Sequence, residues 1–258
     1  GLEGWLFTLH APSYIPFITY ADNRELRKQM YMARNTLCHK DNEFDNRKNV
    51  ARIVELRTKK AQLLGYETYA QYALSQRMAQ DTQHVYDLLE TLSDACLPTA
   101  QKQVKEVEEL ARKTEGENFV LQPWDFAYYS HKLKVERFDV DEEKLRPYFP
   151  LAQVQEGIFS LAHRLYGISF KENSHIPVFH PDVKAYEVTD SDGTFLAILY
   201  TDFFPRASKQ GGAWMTSYQE QYIEKDGTDV RPHVSLTANF TPPTADKPSL
   251  LSLDEVET

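Results

Sequence analysis

The spacing of hydrophobic residues changes about two thirds of the way along the chain, and this change restricts the folds that are open to it. Up to about residue 167 the apolar side chains recur every three or four positions, which is typical of amphipathic helices. From about residue 185 they alternate with polar side chains, which is typical of strands. The pattern predicts a mainly α (α+β) fold, with a multi-helix scaffold over about residues 10–167 and then a small antiparallel sheet over about residues 185–240.

Local signals mark where several of these elements begin and end. Asp81 is placed to cap a long helix, and Pro98 predicts that this helix is kinked or split. Gly65 and Gly167 each follow the last periodic residue of a helix, as glycines at helix C-termini do. The opening segment GLEGWLFTL (1–9) indicates a short strand.

The last quarter of the chain contains the clearest strand signal. The segment HVSLTANF (233–240) alternates apolar and polar residues, as a half-buried strand does. An aromatic-rich segment (213–223) precedes it, and Asp226-Gly227 between the two predicts a hairpin turn. Ser252 followed by Glu255 forms a capping box, which predicts that a helix begins there.

Length, composition and charge limit the classes of protein to which the chain can belong. The 258 residues are 41% hydrophobic, carry a formal net charge of −9 and show no repeat or flexible linker. This length and the absence of a linker favour a single domain that spans residues 1–258. It would consist of a helical lobe (10–167) and a small-sheet lobe (168–258). The acidic balance argues against nucleic acid and membranes as partners, and no apolar run approaches the roughly 18 residues of a membrane span. Cys38 and Cys96 are isolated, so free thiols are expected.

Two groups of polar residues could carry chemistry, and each has a structural explanation. Asp190 and Asp192 before Gly193 partly match a calcium loop, but the late glutamate is missing and a hairpin turn is favoured. His180 and Asp182, with a second histidine nearby, fit no helical zinc signature, so a structural role is favoured. The chain has no glycine-rich phosphate loop and no GxSxG motif.

Six segments of the chain carry a family resemblance. They are YADNREL (20–26), LLGYETYAQYAL (63–74), WDFAYYSHKL (124–133), LRPYFPLAQVQEGIF (145–159), GGAWM (211–215), and ANFTPP with PSLLSLDEVET (within 238–258). Together they resemble the thimet oligopeptidase and neurolysin family of zinc metallopeptidases, and within it the bacterial peptidyl-dipeptidases and oligopeptidase A. The resemblance follows the family order along essentially the whole chain.

This resemblance implies where the metal site of such an enzyme lies. In the family, the segment that DEVET resembles runs directly into the zinc-binding HExxH motif, and a later helix supplies a third protein ligand. No HExxH occurs between Gly1 and Thr258. The resemblance therefore implies a middle section of a zincin-like catalytic domain, truncated before its zinc helix. It implies zinc in the parent protein, but no catalytic residue, metal ligand or bound cofactor in this chain, which is expected to be inactive alone.

The resemblance also implies a strand that binds substrate. In zinc peptidases of this architecture, an edge strand beside the zinc helix binds the peptide backbone by β-augmentation. Gly212, Ala213 and Trp214 are similar to that strand. The small residues agree with this role, because they let another backbone approach closely. The structural alternative is an ordinary hairpin start, in which Trp214 belongs to the core.

Two functions of different classes are open at this point. The favoured one is a fragment of a zinc-dependent oligopeptidase or peptidyl-dipeptidase that hydrolyses short peptides, to which this chain contributes channel wall and the substrate-binding edge strand. The alternative is a non-catalytic peptide-binding module that lacks a zinc site. The expected partners are short peptides and the rest of the parent chain. The expected location is the cytoplasm, with the periplasm as the alternative.

Overall fold

The computed structural model describes residues 4–139 and 141–258. The internal contacts of the chain divide it into two compact units. The helical unit comprises residues 16–137, and the sheet unit comprises the described residues before 16 and after 137. The lobe division near residue 167 that the sequence favours stays a prediction.

Among the described residues up to 139 there are six helices, of which the first crosses from the sheet unit into the helical unit. They are α1 (Ala11–Tyr20), α2 (Arg24–Asn35), α3 (Arg47–Leu63), α4 (Tyr69–Leu74), α5 (Thr82–Glu115) and α6 (Pro123–Phe138). Side chains cap several of them, because the first N–H groups of a helix have no partner within it. The Asp81 carboxylate accepts a hydrogen bond from the backbone N–H of His84 at 3.0 Å, which confirms the predicted cap of α5. Across the described residues, no helix combines the length and the apolar character that crossing a membrane requires.

Helix α5 is continuous through Pro98, so of the two outcomes predicted there the split is wrong, and the kink stays a prediction. A proline removes one hydrogen bond from the helix interior, but a helix of 34 residues retains the bonds on either side of it. Tertiary packing also holds its second half, where Val107 and Ala111 are buried against Tyr128 and Tyr129 of α6. The first half contributes no residue to this core.

An ion cluster joins α2 to α6 within the helical unit. Asp125 is 0% exposed, and its carboxylate accepts hydrogen bonds from Arg24 at 2.7 Å and from Arg27 at 3.0 Å. Arg27 is itself 1% exposed and also donates to the backbone carbonyls of Ala21 and Asp22. The three charged groups therefore hold the beginning of α2 against the first turn of α6.

The sheet unit contains helices α7 (Leu151–Tyr166) and α8 (Leu253–Glu257), and two 3₁₀ turns (Glu142–Lys144 and Arg146–Tyr148). Gly167 ends α7 in the left-handed conformation with φ of +75°, which confirms the predicted glycine terminus. Residues 4–9 form no strand, and the rest of the strand predicted for the opening segment, residues 1–3, lies outside the described residues. The strands are β1 (Ser169–Glu172), β2 (Lys184–Thr189), β3 (Phe195–Asp202), β4 (Trp214–Gln219), β5 (Tyr222–Ile223), β6 (Asp229–Val230) and β7 (His233–Thr237).

Five strands form the main sheet in the order β1-β2-β3-β7-β4. Three of its four pairings are antiparallel, but β3 and β7 are parallel, so the predicted antiparallel sheet is corrected to a mixed one. The reason is that β7 inserts between β3 and β4, two strands that are neighbours in sequence but not in the sheet. Turn residues specify only local reversals and carry no information about this insertion.

The predicted turns themselves are present. Asp226-Gly227 lies between β5 and β6, which pair with each other as a two-stranded ribbon. In chain order this ribbon follows β4 and precedes β7. Gly193, with φ of +86°, lies in the turn between β2 and β3, where Asp192 accepts a hydrogen bond from the N–H of Thr194 at 2.8 Å. These contacts confirm the hairpin-turn interpretation of that segment.

Candidate functional site

Strand β4 forms one end of the main sheet. It pairs with β7 on one side, with Trp214 opposite Thr237 and Met215 opposite Leu236. On its other side, no strand among the described residues pairs with it. An edge of this kind presents backbone N–H and C=O groups that can pair with another extended chain.

The three residues that the sequence singles out for substrate binding lie where β4 begins. Gly212 has φ of +107°, a conformation that residues with a side chain rarely adopt. Ala213 is exposed, and Trp214, the first residue of β4, is 38% exposed rather than enclosed in a core. The structure therefore brings Gly212, Ala213 and Trp214 together at the start of the open edge.

An apolar groove of about 300 Å³ borders this start of β4. Ala213 and Trp214 both contribute to its lining. The other walls come from α7, from the end of the sheet and from α8, and include Val154, Ile158, Phe159, Leu236, Phe240 and Val256. The polar face of β7 is the better buried one, since Ser235 is 1% exposed whereas Leu236 is 42% exposed toward this groove. An open strand edge and an apolar groove thus lie side by side in the sheet unit.

The predicted capping box lies at the start of α8, the helix that lines part of the groove. Ser252 accepts a hydrogen bond from the N–H of Glu255 at 3.2 Å, and the Glu255 carboxylate accepts one from the N–H of Ser252 at 2.8 Å. The same carboxylate accepts a hydrogen bond from the N–H of Thr241 at 2.6 Å. Thr241 follows β7 in the chain. The first turn of α8 is therefore fixed to the segment that follows β7.

A buried ion cluster anchors the loop that leads into β4, and sequence reasoning missed it. Asp202, 2% exposed at the end of β3, accepts two hydrogen bonds from Arg206, at 2.8 and 2.9 Å. Lys209 is 8% exposed, and its ammonium donates to the Asp202 carboxylate and to the carbonyls of Asp202 and Phe204, all within 2.9 Å. The only sequence signal was an acid followed at four and seven residues by bases, which also describes a solvated loop.

The electrostatics of this cluster predict a pH dependence of stability. Burial by itself raises the pKa of the Asp202 carboxyl, but hydrogen bonds from Arg206 and Lys209 outweigh it and hold the pKa below its usual value. A folded-state pKa below that of the unfolded chain contributes stability that is fully present above about pH 4. That contribution is lost as the pH falls through the lower, folded-state pKa.

We therefore expect the free energy of unfolding to fall more steeply with acid in the wild-type chain than in Asp202→Asn, which cannot titrate at this position. Urea denaturation at a series of pH values measures both curves. Their difference should be constant above about pH 5 and shrink below about pH 4. Two curves that stay parallel through this range would contradict the assignment.

The remaining polar candidates have structural roles. The N–H of Asp182 donates to Nδ1 of His180 at 3.2 Å, and the two side chains are 3.6 Å apart, as the structural interpretation predicts. Within residues 4–139 and 141–258, no three His, Cys, Asp or Glu side chains are grouped so that they could hold a metal ion. The described residues therefore do not fit a zinc site, and no chemical step on this chain is assigned to zinc.

Comparisons with known proteins place the chain in a family. The family described as Peptidase family M3 matches residues 17–258. Oligopeptidase A of Escherichia coli (strain K12) is 40% identical over 100% of this chain. Dipeptidyl carboxypeptidase of the same organism is 35% identical over 100%, and probable cytosolic oligopeptidase A of Arabidopsis thaliana is 38% identical over 98%.

The chain belongs to peptidase family M3, because the family match extends over nearly all of it. The resemblance read from the six segments is thereby confirmed. Family M3 is a family of metallopeptidases, and its characteristic activity is the hydrolysis of peptide bonds. The chain spans 38%, 38% and 37% of the lengths of these three relatives.

Proposed function

We propose that this chain is part of a zinc-dependent oligopeptidase or peptidyl-dipeptidase that hydrolyses short peptides. The observation that carries the proposal is the open edge of β4 beside the apolar groove, in a chain that belongs to peptidase family M3. The chain supplies the strand against which a substrate is held, and the helical unit supplies part of the channel wall. Short peptides and the rest of the parent chain are its partners.

Gly212, Ala213 and Trp214 bind the substrate in this proposal. A peptide adds to the open edge as a further strand, and backbone hydrogen bonds supply affinity that is independent of side-chain identity. The left-handed φ of Gly212 and the absence of any neighbour within 4 Å of its Cβ position support this role, since they leave room for a second backbone. Trp214 offers a partly exposed aromatic surface for a substrate side chain.

Zinc, in this proposal, is held by residues of the whole protein that lie outside this chain. When bound, the metal would activate a water molecule and polarise the carbonyl of the scissile bond. We expect its ligands to lie on a helix packed against the apolar groove, because the groove leaves Leu236 and Ile158 exposed to solvent. The role of this chain is to bind and orient the peptide at the edge of β4. We place the whole protein in the cytoplasm.

The experiment uses the complete natural protein and short unstructured peptides of defined sequence. The metal is removed with a chelator and zinc is then restored. We expect hydrolysis to be abolished by the first step and recovered by the second, and we expect the 258-residue chain alone to be inactive. Mass spectrometry of the products distinguishes removal of C-terminal dipeptides from internal cleavage.

Two results would contradict the proposal. Hydrolysis that persists without metal would exclude a zinc mechanism. Peptide binding without hydrolysis in the complete protein, even when zinc is supplied, would favour the alternative, a non-catalytic peptide-binding module that lacks a zinc site.

A further inference from the structure

The loop between β3 and β4 has a second anchor at its far end, which no part of the proposed function uses. Nδ2 of Asn239 donates hydrogen bonds to the backbone carbonyls of Gln210, at 2.9 Å, and Gly212, at 2.8 Å. A side-chain amide has two N–H donors, so both are used on this loop. Asn239 lies two residues after the end of β7, the strand that pairs with β4.

The orientation of the Asn239 amide is determined by these partners. Both neighbouring groups are carbonyl oxygens, which only the nitrogen side of the amide can approach favourably. The oxygen Oδ1 is buried and has no hydrogen-bond partner among the described residues. An unpaired buried acceptor is unfavourable, so the two donated bonds are what hold the side chain in this position.

The two anchors of the loop act on different parts of it. The ion cluster of Asp202, Arg206 and Lys209 fixes the loop as far as Lys209. Between Lys209 and the first residue of β4, the side chain of Asn239 contacts the carbonyls of Gln210 and Gly212, and both residues are exposed. Open space surrounds the Cβ position of Gly212, so packing does not fix its conformation.

We propose that Asn239 is a positioning residue for peptide binding, which acts through the backbone of Gly212 and does not itself contact the substrate. It directs the Gly212 carbonyl toward the end of β7, and thereby sets the path on which Ala213 and Trp214 enter the open edge. This inference rests on the proposed function, because it assumes that the edge of β4 binds a peptide.

The test compares Asn239→Asp and Asn239→Ala with wild type in the complete natural protein. The aspartate variant keeps the shape of the side chain but replaces both donors with a carboxylate that repels the two carbonyls. The matched control is Asn173→Asp, at the opposite end of the sheet, where Nδ2 of Asn173 donates to Glu187 at 2.7 Å. The control loses an amide donor and gains the same charge, but lies away from β4.

Two quantities are measured, KM for hydrolysis and the Kd of a peptide analogue that cannot be hydrolysed. We expect both to rise at least tenfold in the two Asn239 variants and to stay near wild type in the control, with zinc content unchanged among the four proteins. The aspartate variant should also recover toward wild type at acidic pH, because a protonated carboxyl can donate one hydrogen bond, whereas the alanine variant should not. A purely structural role would instead lower the fraction of folded protein and leave the KM and Kd of the folded fraction near wild type.

Each other outcome decides against the positioning role of Asn239, against the proposed function, or against both. Unchanged KM and Kd in the Asn239 variants, or an equal loss in Asn173→Asp, would overturn the positioning role and leave the proposed function intact. Binding of the analogue by wild type without zinc-dependent hydrolysis would overturn the proposed catalysis, and the Kd ratio would still decide the role of Asn239. A wild-type protein that neither binds nor hydrolyses peptides would overturn both.

Discussion

Replacing Asp125 by alanine is expected to lower the free energy of unfolding of the chain by about 3–5 kcal/mol. The carboxylate is 0% exposed and neutralises two arginines, one of which, Arg27, is 1% exposed. Removing it leaves a buried guanidinium without a counter-charge, and this costs more than the lost contacts alone. Urea denaturation followed by circular dichroism measures the difference.

The matched control for this variant is Glu55→Ala on α3. Glu55 also contacts two cations, Arg52 and Lys59, but its side chain is 46% exposed. Solvent screens ion pairs of this kind, so the control should unfold at nearly the wild-type urea concentration. Equal losses for the two variants would mean that burial does not determine the strength of the Asp125 cluster.

Replacing Gly212 by alanine in the complete natural protein is expected to lower kcat/KM for short peptides by about a hundredfold. A side chain at φ of +107° is strained, so the backbone should turn to another conformation and carry the start of β4 with it. Strand β4 is the proposed substrate edge, and a displacement of even 1 Å at such an edge has effects of this size on catalysis. Steady-state kinetics with one peptide at several concentrations gives the value.

The neighbouring glycine provides the comparison. Gly211 does not have a positive φ, and nothing lies within 4 Å of its Cβ position. Gly211→Ala should therefore retain kcat/KM close to wild type. If both alanine variants were fully active, the left-handed conformation of Gly212 would have no part in binding substrate.

The sequence predicted those parts of the fold that depend on neighbouring residues. Asp81, Ser252 and Gly167 mark helix ends as expected, because a cap is satisfied within a few residues along the chain. The turn at Asp226-Gly227 is equally local. Each of these signals is complete within one turn of helix or one hairpin, so a single sequence contains all the information needed.

The parts that could not be predicted depend on residues distant in sequence. The parallel pairing of β3 with β7 joins residues such as Ile198 and His233, and no turn signal between them specifies it. The loop anchors are similar, since Asn239 contacts the carbonyl of Gly212 from 27 residues away. The absence of a split at Pro98 has a related reason, because packing of the second half of α5 outweighs one missing hydrogen bond.

Of the candidate site, the sequence proposed three residues whose role in substrate binding stays a prediction, and it did not reveal what holds them in place. Gly212, Ala213 and Trp214 were selected because they are similar to the substrate-binding strand of the family, and in the structure they lie at an open edge. The ion cluster and the amide that hold this edge were missed because charged and amide side chains in a loop are most often solvated. The burial of Asp202, of Lys209 and of the Oδ1 atom of Asn239, which the sequence does not reveal, is what distinguishes them.

The most direct test of the central claim is a crystal structure of the complete natural protein with zinc and a peptide analogue that cannot be hydrolysed. We predict that the peptide lies as an added strand along the outer edge of β4, with backbone hydrogen bonds to the segment from Gly212 to Trp214. A peptide bound elsewhere, with the outer edge of β4 covered by another part of the protein, would contradict the account.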